Sequence, residues 1–203
     1  MSQSLRIAVA DDEPEMREFL RLALEGLNHQ LVAAAGNGRE LVECCRSARP
    51  DLIITDVKMP ELDGIAAAGA VYRDGPVPAI LVTGYDDDET LRQATAPHVF
   101  GYLVKPIKAR DLAPAIKVAM ARFALHRAAE REAAGLRQAL EERKLVERAK
   151  GAVMRRLAVD EADAFRRMRK LSSERNWRLI ELAREVLKSD EIFEALDRSG
   201  GSR

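Results

Sequence analysis

Short apolar runs separated by amphipathic stretches fill the first half of the chain. Leu5 to Ala10 carries Ile7 and Val9 and runs directly into Asp11-Asp12-Glu13. Apolar positions then recur at helical spacing through residues 15–24, which predicts strand, acidic loop and helix in that order. Leu31-Val32-Ala33-Ala34-Ala35 reads as a second strand, and residues 38–47 as a second helix with Leu41 and Val42 facing inward. Leu52-Ile53-Ile54-Thr55, following Pro50, is too short for a helix and suits a strand buried on both faces. Val77, Ile80, Leu81 and Val82 supply a fourth run ending at Thr83-Gly84, and residues 99–104 a fifth ending at Lys105-Pro106. Five such runs alternating with helical stretches predict an α/β fold, a doubly wound parallel sheet with helices on both faces.

The second half changes period. From Leu112 to Ala149 the chain has no strand pattern, and its only breakers are Pro114 and Gly135. Proline is tolerated in a first helical turn, and an interior glycine costs only about 1 kcal/mol, so one long helix or two successive ones are predicted. Ala129, Ala133, Leu136, Leu140 and Arg143 alternate spacings of four and three, as a coiled-coil seam does. The seam is small-sided and ends in arginine, so a dimer stalk through residues 115–145 and a helix packed on its own protein both fit. Residues 145–157 place Val146, Ala149, Val153 and Leu157 on one helical face. Asp160 can cap a second helix with Ala164, Phe165, Met168 and Leu171 inward. Ser172 or Ser173 begins a third, with Trp177, Ile180, Leu182, Ala183 and Val186 as its apolar content. Three striped helices should bury their stripes against each other as an all-α unit.

The formal net charge is zero over 203 residues, but it is segregated. Residues 1–112 hold 18 acidic against 12 basic side chains, and residues 113–203 hold 15 against 21. An acidic front suits cation binding, and a basic rear suits an anionic partner such as nucleic acid. Cys44 and Cys45 are too few for a disulfide framework or a cysteine metal site. No basic-then-apolar leader opens the chain, and no run approaches the roughly 18 apolar residues of a membrane span. A cytoplasmic protein without a membrane partner is expected.

Functional loops of a parallel sheet gather beyond the carboxyl ends of its strands. Asp11 and Asp12 close the first predicted strand, Asp56 the third, Thr83 the fourth and Lys105 the fifth. An isolated aspartate at a strand end is ordinarily a turn or cap residue. All five positions falling on one edge argue for chemistry instead. Carboxylates crowded together stay ionised only beside a cation. Mg2+ suits such a site, since it takes oxygen ligands and tolerates one or two carboxylates with a phosphate oxygen. Asp56, after the central strand, is the candidate nucleophile for a phosphoryl group, with Lys105 offsetting charge on the phosphoryl oxygens. Thr83 can offer its hydroxyl to such an oxygen, and its movement would leave a space for an aromatic such as Tyr102.

Residues 5–122 resemble the receiver domain of bacterial two-component response regulators. The resemblance rests on Ala8-Val9-Ala10-Asp11-Asp12-Glu13, Thr55-Asp56-Val57-Lys58-Met59-Pro60-Glu61-Leu62-Asp63-Gly64, Val82-Thr83-Gly84-Tyr85 and Gly101-Tyr102-Leu103-Val104-Lys105-Pro106. It implies that Asp56 is the phosphoacceptor, and that Asp11, Asp12 and the backbone carbonyl of Lys58 complete a Mg2+ site with it. Thr83 becomes the switch hydroxyl, Lys105 the phosphate-contacting lysine, Tyr102 the mobile aromatic, and a sensor histidine kinase the phosphoryl donor. The protein is then a regulator, not an enzyme, although it takes part in its own phosphorylation and dephosphorylation. One departure stands out. A Gly-Ala pair often precedes the last strand in this family, where this chain reads Ala94-Thr95-Ala96-Pro97-His98.

Residues 142–189 resemble the ANTAR domain, an RNA-binding three-helix module of transcription antitermination regulators. The matching segments are Glu147-Arg148-Ala149-Lys150-Gly151-Ala152-Val153-Met154, Asp160-Glu161-Ala162-Asp163-Ala164-Phe165 and Leu171-Ser172-Ser173-Glu174-Arg175-Asn176-Trp177-Arg178-Leu179. The resemblance implies binding to stem-loop leader RNA, favouring an antiterminated transcript. Lys150, Gly151, Arg155, Arg169, Ser172, Asn176 and Arg178 are the candidate RNA-facing residues, with Trp177 expected in or near the core. The expected organisation is a receiver over 5–122, a helical linker over 123–141, the RNA-binding domain over 142–189 and a tail over 190–203. A phosphorylation-controlled module that docks on protein without touching RNA, and a DNA-binding helix-turn-helix, are the competing readings.

Overall fold

The computed structural model describes residues 4–84 and 96–200, the last four as backbone only. Tyr85 and the Ala94-Thr95 pair lie outside the described residues. The chain divides into two compact units, residues 1–128 and 129–203.

The first unit is built on β1 (Arg6–Ala10), β2 (Gln30–Ala35), β3 (Leu52–Asp56), β4 (Ala79–Thr83) and β5 (Val99–Val104). They form one parallel sheet in the order β2-β1-β3-β4-β5, which makes β3 central. Strand alternation sorts side chains by size. Ile7, Val9, Leu52, Ile54, Ile80 and Val82 share a core with Leu20 and Leu24 of α1 (Pro14–Gly26) and with Leu112, Ile116 and Ala119 of α4 (Ala109–Leu157). Ala8, Ala10, Ile53 and Ala79 pack on the other face with Leu41 and Cys45 of α2 (Gly38–Ala48) and Ala67, Ala68 and Val71 of α3 (Gly64–Asp74). The predicted strands and the first two helices are present, and Leu41 is fully buried. Helix α3 carried no sequence signal of its own, because its apolar positions are mostly alanines whose hydrophobic contrast is small.

Helix ends are fixed locally. Asn37 caps α2 by accepting the Glu40 N–H at 2.8 Å, and Asp63 caps α3 by accepting that of Ala66 at 2.7 Å. Pro14 occupies the first turn of α1, where its missing N–H costs nothing.

Of the two arrangements the breakers allowed, one long helix or two successive ones, the structure takes the first. Helix α4 runs without interruption from Ala109 to Leu157, so residues 145–157 are its end and not a separate element. Pro114 lies inside its N-terminal portion, and a side chain at Gly135 would meet nothing within 4 Å. Helix α5 (Glu161–Glu174) starts where expected, the Asp160 carboxylate accepting the Asp163 N–H at 2.7 Å. The third helix does not begin at Ser172 or Ser173. Both serines lie in the last turns of α5, and α6 spans Leu179–Gly200. The chain reverses at Asn176, whose φ of 52° is left-handed, and the Ser172 hydroxyl donates to Trp177 O at 2.6 Å across that turn. Glu181 then accepts the Arg178 N–H at 2.8 Å, half of a capping box. Residues 190–200, expected as a tail, continue α6.

The bundle core is small. Ala149, Met168, Leu182 and Ala183 are buried, with Val146, Val153, Leu179, Val186 and Leu187 packed around them. Four residues expected inside are exposed instead: Leu157, Phe165, Leu171 and Trp177. Leu157, Phe165 and Leu171 lie on helices that have no fourth layer to cover them, and Trp177 lies in the turn between α5 and α6.

Among the described glycines the tightest backbone approach is at Gly64. A Cβ there would fall 1.8 Å from Asp56 O and 2.7 Å from Thr55 Oγ1, so the first turn of α3 can rest on the end of β3 only as glycine. Gly64→Ala is expected to lower stability by about 1–3 kcal/mol through overpacking. Gly75→Ala, whose added Cβ meets nothing within 4 Å, should leave it unchanged within about 0.5 kcal/mol. Urea denaturation of both variants checks the contrast.

Candidate functional site

Parallel pairing delivers the singled-out side chains to one rim. Asp56 pairs with Val82, one residue before Thr83, and Thr83 pairs with Val104, one before Lys105. The Lys105 N–H donates to Thr83 O at 2.8 Å, extending that ladder by one bond. On the other side, Ala10 of β1 pairs with Thr55, which sets Asp11 beside Asp56.

The outcome is a carboxylate cluster around one ammonium. Lys105 Nζ lies 2.6 Å from Asp56 Oδ2, 3.2 Å from Asp11 Oδ2 and 3.4 Å from Glu13 Oε1. Asp11, Asp12 and Asp56 each present an oxygen within 4.8 Å of the others, Asp11 and Asp56 buried and Asp12 exposed. Asp11 Oδ1 accepts the Glu13 N–H at 2.9 Å. Its buried Oδ2 meets Lys105 as an ion pair without a directed hydrogen bond. That oxygen is an open ligand position beside two more carboxylates, so the donor set fits a hard, oxygen-seeking cation. The Lys58 N–H contacts Asp56 Oδ1 at 3.4 Å, and Lys58 lines the same open basin as Asp12, Met59 and Asp63.

The electrostatics follow from burial. Loss of solvation raises the Asp11 pKa and Asp56 adds to it, against the lowering effects of the Glu13 N–H and Lys105. Burial disfavours the Lys105 charge, but the hydrogen bond and charge of Asp56, followed by Asp11, outweigh it and raise the lysine pKa. Thr83 is buried with Oγ1 donating to Gly84 O at 3.2 Å. Tyr102 is half-buried on β5, and loss of solvation raises its pKa while the nearby Arg122 opposes the rise.

Candidate RNA-facing residues of the second unit divide into anchored and presented groups. Lys150 is only 8% exposed and holds Glu147 at 2.5 Å and Glu161 at 2.7 Å. Those two hydrogen bonds raise its pKa and tie its ammonium to two exposed carboxylates. Ser172 is likewise buried and committed to the α5–α6 turn. A Cβ at Gly151 would meet only Arg155 Nη1 at 3.7 Å, so no neighbouring backbone requires glycine there. Arg155 pairs with Asp190 at 2.8 Å, and Arg178 with Glu142 at 3.6 Å. Asn176 is exposed at the turn, and Arg169 stands 5.9 Å over the Phe165 ring. Among the described residues, no ion pair engages Arg148, Arg169, Arg175 or Arg184.

Comparison with known proteins accounts for both units. The response regulator receiver domain family matches residues 7–117, more than half of the chain. The chain belongs to that family. The ANTAR domain family matches residues 134–187. Over 184 residues the chain is 37% identical to the transcriptional regulatory protein PdtaR of Mycobacterium tuberculosis, covering 91% of this chain and 90% of that one. The positive alginate biosynthesis regulatory protein of Pseudomonas aeruginosa is 36% identical over 118 residues, covering 57% of this chain and 47% of that one. Among solved structures, the signal receiver domain of a modulated diguanylate cyclase from Desulfovibrio desulfuricans superposes with a TM-score of 0.56 at 30% identity, over 61% of this chain and 98% of the other. A response regulator receiver domain from Clostridium thermocellum gives 0.53 at 30% identity, over 59% and 97%. No described helix is long and apolar enough to cross a membrane. A receiver joined to an ANTAR domain is the architecture of a phosphorylation-linked, RNA-binding regulator.

Two contributors to this response regulator's rim escaped the sequence reading. Arg17 Nη1 donates to Asp11 O at 2.7 Å and Asp12 O at 3.2 Å, so one guanidinium clamps the carbonyls of the acidic loop. Its position one turn into α1 was the available signal. Glu13 is the other, a carboxylate whose reach to Lys105 depends on the loop geometry and cannot be read from spacing.

Two measurements test these assignments. An aspartate whose folded pKa is raised adds stability below its unfolded value and loses it as pH rises through the folded pKa. The charged form of Asp11 is therefore the one the fold disfavours, so Asp11→Asn should raise the urea midpoint at pH 7, and added Mg2+ should raise the midpoint of the unmodified protein but not that of the variant. In the bundle, Lys150→Ala should lower the thermal midpoint, and Arg169→Ala should leave it unchanged.

Proposed function

We propose that this regulator accepts a phosphoryl group on Asp56 from a sensor histidine kinase, and that the modification controls binding of stem-loop leader RNA by residues 142–189, promoting transcription antitermination. The observation that carries the reading is the convergence of Asp11, Asp12, Asp56 and Lys105 at the carboxyl edge of the sheet, in the same chain as an ANTAR domain. In this account the receiver spans 5–122, residues 123–141 connect the domains, and the RNA-binding bundle takes in 142–189 together with the continuation of its last helix to Gly200.

An Asp56 carboxylate oxygen attacks the phosphorus of a phosphohistidine in line. The new O–P bond forms as the P–N bond breaks, and the histidine nitrogen keeps the electron pair. Lys105, already 2.6 Å from Asp56 Oδ2, is placed to follow the negative charge onto a phosphoryl oxygen. Asp11, Asp12, Asp56 and the Lys58 carbonyl would hold Mg2+, which when bound neutralises charge on the phosphoryl oxygens. Thr83 Oγ1 exchanges its bond to Gly84 O for one to the phosphoryl group, and Tyr102 on the adjoining strand shifts into the space released. Exposed Leu125, Leu136 and Leu140 on α4 support a homodimer contact within residues 115–145.

Incubation with acetyl phosphate and Mg2+ tests the first step, and filter binding of leader stem-loop RNA the second. The unmodified chain should carry one hydroxylamine-labile phosphate and change its RNA affinity by about fivefold or more, the scale of an ordinary coupling free energy. Asp56→Asn should carry no label and show no change. Equal affinity for the RNA and for duplex DNA of the same length would defeat the RNA assignment.

A further inference from the structure

The aromatic residues of the second unit are placed in an unusual way. Beyond residue 128 the sequence holds three, Phe165, Trp177 and Phe193. None is in the core: they are 38%, 38% and 51% exposed, while alanine, methionine and leucine fill the interior. Each also lies under an arginine, with guanidinium-to-centroid distances of 5.9 Å for Arg169 over Phe165, 5.3 Å for Arg175 over Trp177 and 4.6 Å for Arg156 over Phe193.

Two of these pairs flank one cleft of about 500 Å³, wholly within the bundle. Val153 and Leu157 of α4, Leu171 of α5, and Leu182 and Val186 of α6 line it, with Trp177 and Phe193 among its walls. Arg156 is held in position by Asp190, whose carboxylate accepts at 3.1 Å and is itself only 9% exposed. The cleft therefore offers an apolar floor, two exposed rings each with a guanidinium over it, Arg156 anchored by Asp190 and Arg175 without an ion pair among the described residues, and the Glu185 and Asp190 carboxylates among its walls.

We propose that this cleft receives a base splayed out of an RNA loop, stacked on Trp177, with Arg175 and Arg156 meeting the flanking phosphates and Phe193 closing the far wall. The inference rests on the RNA-binding reading above and deepens it by assigning the place where unpaired bases are held. Single-stranded RNA is gripped by this combination: a ring or guanidinium plane for the base, and a positive charge for the backbone beside it. An apolar protein surface is the poorer occupant. It would strip water from Arg156 and Arg175 without offering them phosphate oxygens, whereas an RNA loop supplies both the flat apolar face and the anions.

Trp177 is the only tryptophan in the chain, so its emission reports the cleft directly. The probe is a pool of RNA hairpins with a fixed stem and a randomised loop, titrated into the full-length protein, with a blunt duplex of the same stem as comparison. The hairpins should quench Trp177 emission and the duplex should not. Trp177→Leu should weaken hairpin binding roughly tenfold or more, the scale of one lost stacked base. Trp177→Phe should retain affinity within a few-fold, and Phe193→Leu should bind less tightly, all with unchanged circular dichroism. Hairpin binding with unaltered emission and equal affinity for the leucine and phenylalanine variants would overturn the base site while leaving RNA binding intact. An equal loss of hairpin and duplex binding in Trp177→Leu would give Trp177 a purely structural part and also overturn it. Failure of the folded, unmodified chain to bind any of the pool would remove both this inference and the RNA reading beneath it, as would capture of a protein in the cleft that RNA does not displace.

Discussion

The receiver depends on repulsion held in check. Strand pairing forces Asp11 and Asp56 together with little solvent around them, and a single ammonium, Lys105, stands between them. Unit charges at such distances interact by several kcal/mol at intermediate dielectric, so none of these groups is indifferent to what its neighbours carry. Lys105 satisfies Asp56 well and Asp11 only in part, leaving one buried oxygen without a directed partner. A site built in this way is stable enough to fold but unbalanced enough to respond. A bound cation would relieve it, and a phosphoryl group on Asp56 would require Lys105 to redistribute its contacts.

The rest of the unit serves to hold that imbalance still. The bulky face of the sheet anchors α1 and the start of α4, and the small-residue face lets α3 rest on the end of β3 through Gly64. Arg17 fixes the acidic loop by its carbonyls, so the carboxylates point where the strands place them and not where repulsion would send them. Helix α4 contributes Leu112, Ile116 and Ala119 to the receiver core and Ala149 to the bundle core.

The parallel sheet, the rim residues and the Asp160 cap were legible because they rest on period, chain punctuation and strand ends, all local properties. Helix α3 was not, because alanines at its buried positions give no contrast. The start of α6 was misplaced for a related reason. Ser172 and Ser173 are good capping residues by type, but Ser172 acts here as a hydroxyl donor to Trp177 O closing the previous helix, and the left-handed Asn176 is the true break. Lys150 reads as a surface lysine in sequence, and only the tertiary approach of Glu161 to Glu147 turns it into an internal tie. Pairings of that kind, eleven residues and a helix apart, have no periodic signature.

The two units handle charge in opposite ways, and that difference bears on how RNA can be held. The receiver concentrates like charges around one counter-ion. The bundle distributes its arginines among carboxylates and rings: Arg155 and Arg156 on Asp190, Arg166 and Arg167 on Asp163, Arg169 and Arg175 over aromatic faces. An arginine held by a carboxylate alone must loosen that pair before it can neutralise a phosphate, so its net gain is small, whereas Arg156 lies on the Phe193 ring as well as on Asp190. One lying over an exposed ring loses nothing by turning an edge to phosphate and keeps its plane available for stacking. In the proposed RNA-binding role the bundle's basic surface is therefore better suited to gripping unpaired, stackable nucleotides than to coating the backbone of a duplex, and selectivity for loops would follow from which arginines the fold leaves over rings.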